Sequence, residues 1–127
     1  MTAVVLDTNA LMMPVEVDVR VFDELDRLLG SYECVAPGAV RAELADLAEG
    51  SGTEATAATV GLDLLDQRCE VRETELTYAD DAVVELTAQS AVTHAVTNDG
   101  PLQERLLAEG VLVISLRGQN KLALTRP

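Results

Sequence analysis

Tryptophan is absent from this chain, and Phe22, Tyr32 and Tyr78 are its only aromatic residues, 2% of the total. The core must therefore be aliphatic, drawn from the Val, Leu and Ala of a 48% apolar composition. Two tyrosines are also too few for a base-stacking platform. No run of about 18 apolar residues occurs, so no membrane span is expected. The N-terminus has no basic lead and carries Asp7 within its apolar run, which does not read as a signal peptide. Histidine occurs once, as His94 at the start of a strand, where a structural role is expected. Cys34 and Cys69 are the only cysteines and lack the paired spacing of a zinc site. Two buried free thiols in a reducing cytoplasm are the expectation.

Lysine is almost missing too. Lys121 is the only one among 9 basic residues, which face 22 acidic ones for a net charge of −13. Such a surplus repels nucleic acid in general, because phosphate binding is carried mainly by Lys and Arg. It also repels itself, which salt screening relieves, and halophiles use acidic surfaces for solubility. A salt-rich cytoplasm accounts for this composition better than a partner does.

What is present is a set of short apolar runs separated by helical patterns. Ala3-Val4-Val5-Leu6 runs without alternation into Asp7-Thr8-Asn9, as in a strand buried on both faces of a parallel sheet. Val21, Leu25 and Leu28 give a helix within Val17–Gly30, with Asp23, Glu24 and Asp26 pointing away. Tyr32–Ala36 reads as a second strand, and Val40, Leu44 and Leu47 as a helix reaching Gly50. A third helix starts at Glu54 and a weak third strand lies around Cys69–Arg72. Thr77 can cap a fourth helix over Ala79–Ala91. His94–Thr97 is a fourth strand, Pro101 opens a further helix, and Val111–Ile114 is a fifth strand. Strands alternating with helices predict one domain, residues 1–127, folded as a three-layer α/β/α sandwich with a mainly parallel five-stranded sheet.

Ligands of such sheets bind beyond the carboxyl ends of the strands. Asp7 ends the first strand, Glu43 lies early in the helix after the second, Asp80 and Asp81 begin the fourth helix, and Asp99 ends the fourth strand. Each has an ordinary alternative as a cap, a helix-dipole partner or a surface acid. Together they fall on one edge. Clustered carboxylates repel and need a cation, and an oxygen-seeking ion such as Mg²⁺ or Mn²⁺ meets that need.

The segments Val4-Val5-Leu6-Asp7-Thr8-Asn9, Val40-Arg41-Ala42-Glu43-Leu44, Tyr78-Ala79-Asp80-Asp81-Ala82-Val83 and Val96-Thr97-Asn98-Asp99 resemble the ordered motifs of the PIN-domain ribonucleases. The likeness spans essentially the whole chain. It is nearest to the branch that processes ribosomal RNA precursors, and with the acidity it suggests an archaeal, haloarchaeal source. The resemblance implies a central first strand, a carboxylate pocket holding one or two divalent ions, and endonucleolytic cleavage of RNA. It makes Asp7, Glu43, Asp81 and Asp99 the catalytic metal ligands. Asp80 is able to share or exchange the role of Asp81, and Asn9 and Thr97 orient carboxylates.

Arg117, Lys121 and Arg126 lie in a C-terminal stretch with no acid after Glu109, and are the expected RNA contacts, with a loose basic end as the plain alternative. Expected partners are RNA and either ribosome-assembly proteins or, if the chain is a VapC-type toxin, an antitoxin. A homodimer is compatible with all of these. A catalytically idle PIN scaffold is the competing class, but an idle pocket has no reason to keep repelling charges. An aspartyl-nucleophile phosphatase fits less well, because Asn9 stands where a second aspartate is wanted.

Overall fold

A computed structural model describes residues 2–127. Strand β1 (Ala3–Leu6) is 0% exposed along its whole length, as its unbroken apolar run requires of a strand covered on both faces. Helices α1 (Thr8–Glu16) and α2 (Val21–Leu29) lead to β2 (Glu33–Pro37). Then α3 (Gly38–Ala48) and α4 (Gly52–Arg68) lead to β3 (Cys69–Arg72). Helix α5 (Ala79–Thr87), β4 (Val92–Val96), α6 (Gly100–Ala108), β5 (Leu112–Arg117) and β6 (Lys121–Thr125) complete the chain.

The sheet has six strands in the order β3-β2-β1-β4-β5-β6, all parallel except β6, which returns antiparallel to β5. The sixth strand adds to the five expected and folds the basic C-terminal stretch into a hairpin. From β1 the chain steps outward through β2 to β3, then crosses back to β4 and continues to β5 the other way. Right-handed crossovers stepping in opposite directions put their helices on opposite faces. Hence α1 lies against α4, and α4 against α3, on one side, while α5 meets α6 on the other. The strand order reverses between β1 and β4, the crevice where open α/β sheets hold ligands.

The expected helix within Val17–Gly30 is α2, and an additional helix, α1, precedes it. Thr8–Glu16 is helical despite Pro14, and the chain turns at Asp18 with φ of +54° before α2 begins. Gly61 lets α1 and α4 approach closely, since a Cβ there would lie 2.7 Å from the Leu11 carbonyl oxygen. Thr77 is not the cap of α5. Tyr78 holds that position and no side chain caps the helix.

Glu24 does not point away from the core. Its Oε1 accepts the Leu122 N–H at 2.9 Å and an Arg27 Nη2 hydrogen at 2.7 Å, while Arg27 Nη2 also donates to the Leu122 carbonyl at 2.8 Å. One i,i+3 ion pair of α2 thus satisfies both outward backbone groups of Leu122, blunting the open edge of β6. These bonds hold the Glu24 carboxyl down to about 2.

The cysteines are not free thiols. Cys34 and Cys69 form a disulfide, and no free cysteine remains among the described residues. Their separation of 35 residues hid a direct neighbour relation, since β2 and β3 pair with Cys34 opposite Cys69. The cysteines therefore lend no support to a reducing compartment. Among the described residues, no helix is long and apolar enough to cross a membrane. His94 sits on β4, buried, with Nδ1 2.6 Å from the Thr93 hydroxyl, and burial and the nearby Arg126 lower its pKa.

Candidate active site at the carboxyl edge of the sheet

Leu6 of β1 pairs with Val96 of β4, so the residues that follow, Asp7 and Thr97, leave the sheet side by side. Asp7 caps α1, its Oδ1 accepting the Ala10 N–H at 2.7 Å. It is only 5% exposed. Burial pushes its pKa up to about 7; hydrogen bonds from Thr97 and Ala10 oppose this, and the charges of Asp80 and Asp99 add to it.

Thr97 organises the neighbouring turn. It is fully buried, its hydroxyl stabilises the Asp7 carboxylate and accepts the Asp99 N–H at 3.1 Å, and its carbonyl accepts from Gln103 at 2.8 Å. Asp99 caps α6 through Oδ1 and the Leu102 N–H at 3.0 Å. Asn98 lies in the Val96–Asp99 motif, but its role there is not legible in the sequence. Its side chain accepts the Leu116 N–H at 2.8 Å and reaches Met13 Sδ at 3.1 Å, fixing the β4 end to β5 and α1.

The acids of α5 separate. Asp80 lies within reach of the other pocket charges: after burial, its pKa is raised by Asp99, Glu43 and Asp81, with Arg105 opposing. Asp81 instead meets Arg105 Nη2 at 3.0 Å. Asp80 thus feels the charges of Asp99 and Glu43 and acts on Asp7, while Asp81 has a cation partner in Arg105. Glu43 is exposed on α3 at the rim. Asn9 is exposed, and its side chain makes no hydrogen bond among the described residues.

Arg105 also escapes a reading of the sequence. The one signal for it is isolation, as the only basic residue between Arg72 and Arg117 apart from His94. Arg68, Arg117, Lys121 and Arg126 carry no ion pair among the described residues, whereas Arg20, Arg27, Arg41, Arg72 and Arg105 each have at least one, and Arg68 instead lies over the Phe22 ring. The hairpin divides the three C-terminal ones. Arg117 and Lys121 pair across its closed end, on the same edge as Asp99, and Arg126 lies beyond Thr125 at the opposite edge.

The donors around Asp7 are all oxygens, and Arg105 is the one cation whose charge reaches Asp80. The Thr8 hydroxyl next in sequence is buried with no hydrogen-bond partner. This chemistry suits a hard divalent cation. As they stand, no three His, Cys, Asp or Glu side chains among the described residues converge closely enough to hold one.

A family model described as a PIN like domain matches residues 4–119. The chain superposes on the structure of the PIN domain endonuclease Utp24 with a TM-score of 0.79 and 25% identity, covering 98% of this chain and 92% of that one. VapBC2 from Rickettsia felis, bound to a DNA fragment from its promoter, gives 0.66 at 15% identity, over 91% of this chain and all of that one. A domain of a functionally unknown protein from Methanocaldococcus jannaschii gives 0.68 at 15% identity, with 95% of each chain covered. The last two likenesses concern the fold alone. A comparison with curated proteins returns no match.

Proposed function

The chain belongs to the PIN-like domain family, and from that premise we propose that it is a divalent-metal-dependent endoribonuclease acting in ribosomal RNA processing. The observation that carries this reading is Asp7, a carboxylate buried at the strand-order reversal beside the charges of Asp80 and Asp99. Burying an acid among acids is costly unless a cation offsets it. The likeness to the endonuclease Utp24 supports nuclease activity, and the motif resemblance supports the ribosomal substrate.

Asp7, Asp99 and Glu43, with Asp80 from α5, are the residues proposed to hold Mg²⁺ or Mn²⁺. Asp81 takes part through Arg105, or as a ligand itself if that pair opens. A bound divalent ion supplies Lewis acidity to the phosphoryl group and lowers the pKa of an attacking water. Thr97 orients Asp7 and favours its ionised form, and the turn ends of α1 and α6 fix Asp7 and Asp99 through backbone N–H groups. Arg117 and Lys121 are proposed to hold RNA phosphates on the same edge.

The protein is proposed to work in a salt-rich archaeal cytoplasm, with RNA and ribosome-assembly proteins as partners. The purified protein in molar salt should cut single-stranded or looped RNA slowly with Mn²⁺. Chelator and Asp7→Asn should each abolish cutting. Crosslinking in the source cells should recover ribosomal precursors. Recovery of messenger or transfer RNA with a tightly bound small protein would favour the toxin reading instead. Cutting in excess chelator, or none of any RNA with Mn²⁺ in high salt, would favour the idle scaffold.

A further inference from the structure

Among the described residues Leu76 and Tyr78 are the two most exposed large apolar side chains, 51% and 65% accessible, and they stand two residues apart just before Asp80. The other two aromatic residues are withdrawn, Phe22 being buried and Tyr32 packed partly against the core. In a chain this poor in aromatics, leaving one in water beside the acid pocket is the exception to be explained.

The segment carrying them is held in place. The Glu85 carboxylate accepts the backbone N–H groups of Glu75 at 2.9 Å and Leu76 at 3.0 Å. The Thr74 hydroxyl donates to the Leu76 carbonyl at 2.7 Å, and the Tyr78 carbonyl accepts the Ala82 N–H at 2.9 Å as α5 begins. Backbone bonds therefore fix where both residues leave the chain. Leu76 also lines a cavity of about 310 Å³ together with Val84, Ala88 and the Asp81–Arg105 pair.

The electrostatics here narrow what is able to bind. Glu73, Glu75, Asp80 and Asp81 flank the two residues in sequence, and the one cation at the cavity is Arg105, already paired. A polyanion cannot be gripped here mainly through its phosphates. The face of a nucleobase is neutral and stacks on an aromatic ring whatever its sequence.

We infer that Tyr78, with Leu76 exposed two residues before it, is a substrate-positioning residue that stacks an unpaired base of the RNA next to the phosphodiester presented to the Asp7 pocket. This rests on the ribonuclease reading and adds to it the means by which an acidic protein holds RNA beside its acids. One tyrosine makes no platform for successive bases, but a single stacked base already selects for unpaired RNA, since a base inside a duplex offers no free face at this ring.

The absence of tryptophan makes the test direct, because Tyr78→Trp places a single indole reporter in the chain. In an Asp7→Asn background, which keeps RNA intact, its emission is read while adding a single-stranded oligoribonucleotide or its abasic counterpart. Saturable quenching by the first and none by the second is expected. Tyr78→Ala should weaken binding by about tenfold and raise KM rather than lower kcat, with Tyr78→Phe near the natural chain. Equal quenching by the abasic strand, or unchanged RNA binding and cutting by a folded Tyr78→Ala protein, would overturn the stacking proposal while leaving the ribonuclease reading intact. If the natural chain itself neither binds nor cuts RNA, the ribonuclease reading fails, and the exposed pair belongs to a protein-docking surface.

Discussion

Asp81 and Arg105 form a 3.0 Å ion pair joining the first turn of α5 to the last turn of α6, and this pairing leaves the adjacent Asp80 with the pocket acids. Neighbouring helical residues point roughly 100° apart, so two consecutive acids cannot face one pocket equally. Arg105 settles which of them turns aside.

Asp80→Asn should therefore impair cutting more than Asp81→Asn. Loss of a charge facing the reacting group is expected to cost about a hundredfold or more in rate. Asp81→Asn frees Arg105 and should cost less. Both partners of this pair are part-exposed, so the folded state should lose under about 1 kcal/mol. Single-turnover cutting with Mn²⁺, alongside thermal melts, separates the two. A deeper loss for Asp81→Asn in a folded protein would mean that the ion pair opens when metal arrives.

Asp7 makes stability depend on pH in a definite direction. Its folded pKa of about 7 lies above its ordinary 3.8. Between those values the folded chain keeps a proton that the unfolded chain has lost, so this residue's contribution falls as pH rises through the window and is flat above it. Asp7→Asn keeps an acceptor for the Ala10 N–H and removes the charge. Above pH 7 it should be more stable than the natural chain without metal, by about 1–3 kcal/mol. Mn²⁺ should raise the melting temperature of the natural chain more at neutral than at acid pH, and leave Asp7→Asn unchanged. A difference between the two proteins that does not vary with pH would refute the assignment.

The disulfide should matter for stability and not for chemistry. Cys34 and Cys69 stand near the amino ends of β2 and β3, away from the carboxyl edge that holds Asp7. Closing a 35-residue separation restricts the unfolded chain by roughly 3–4 kcal/mol in the loop-entropy account. The Cys34→Ser/Cys69→Ser protein should be destabilised by that amount at most and cut RNA unchanged below its melt. A melt insensitive to reductant would show that the bond contributes nothing.

The alternation of strands and helices and the burial of β1 on both faces were legible because each rests on a local pattern: an unbroken apolar run or a helical spacing. The cysteine pairing was not, since it depends on which strands become neighbours and in what register. Glu24 reads as surface on any helical wheel. It is buried because β6, about a hundred residues on, brings unpaired Leu122 groups against it. Asp80 and Asp81 cannot be ranked from their own segment, because the deciding charge sits on another helix. The extra strand was missed because Lys121–Thr125 gains its hydrogen bonds only by folding back on β5.

The hairpin turns one expected basic tail into two separate places. Arg117 ends β5, which runs parallel to β4, so it shares the edge of Asp99 one strand away, with Lys121 paired across from it. Arg126 follows Thr125, which pairs with Val113 near the start of β5, and its charge acts on His94 instead. If RNA crosses the Asp7 edge, only the first two lie on its path. Arg117→Ala with Lys121→Ala should weaken RNA binding and lower the slope of log affinity against log salt by about 0.7 for each single-strand phosphate no longer neutralised. Arg126→Ala should change neither. Fluorescence anisotropy with a labelled single-stranded RNA across a salt series reads both quantities. Equal losses at Arg117 and Arg126 would mean that the basic end attracts RNA only diffusely, and that the hairpin does not guide it to the acids.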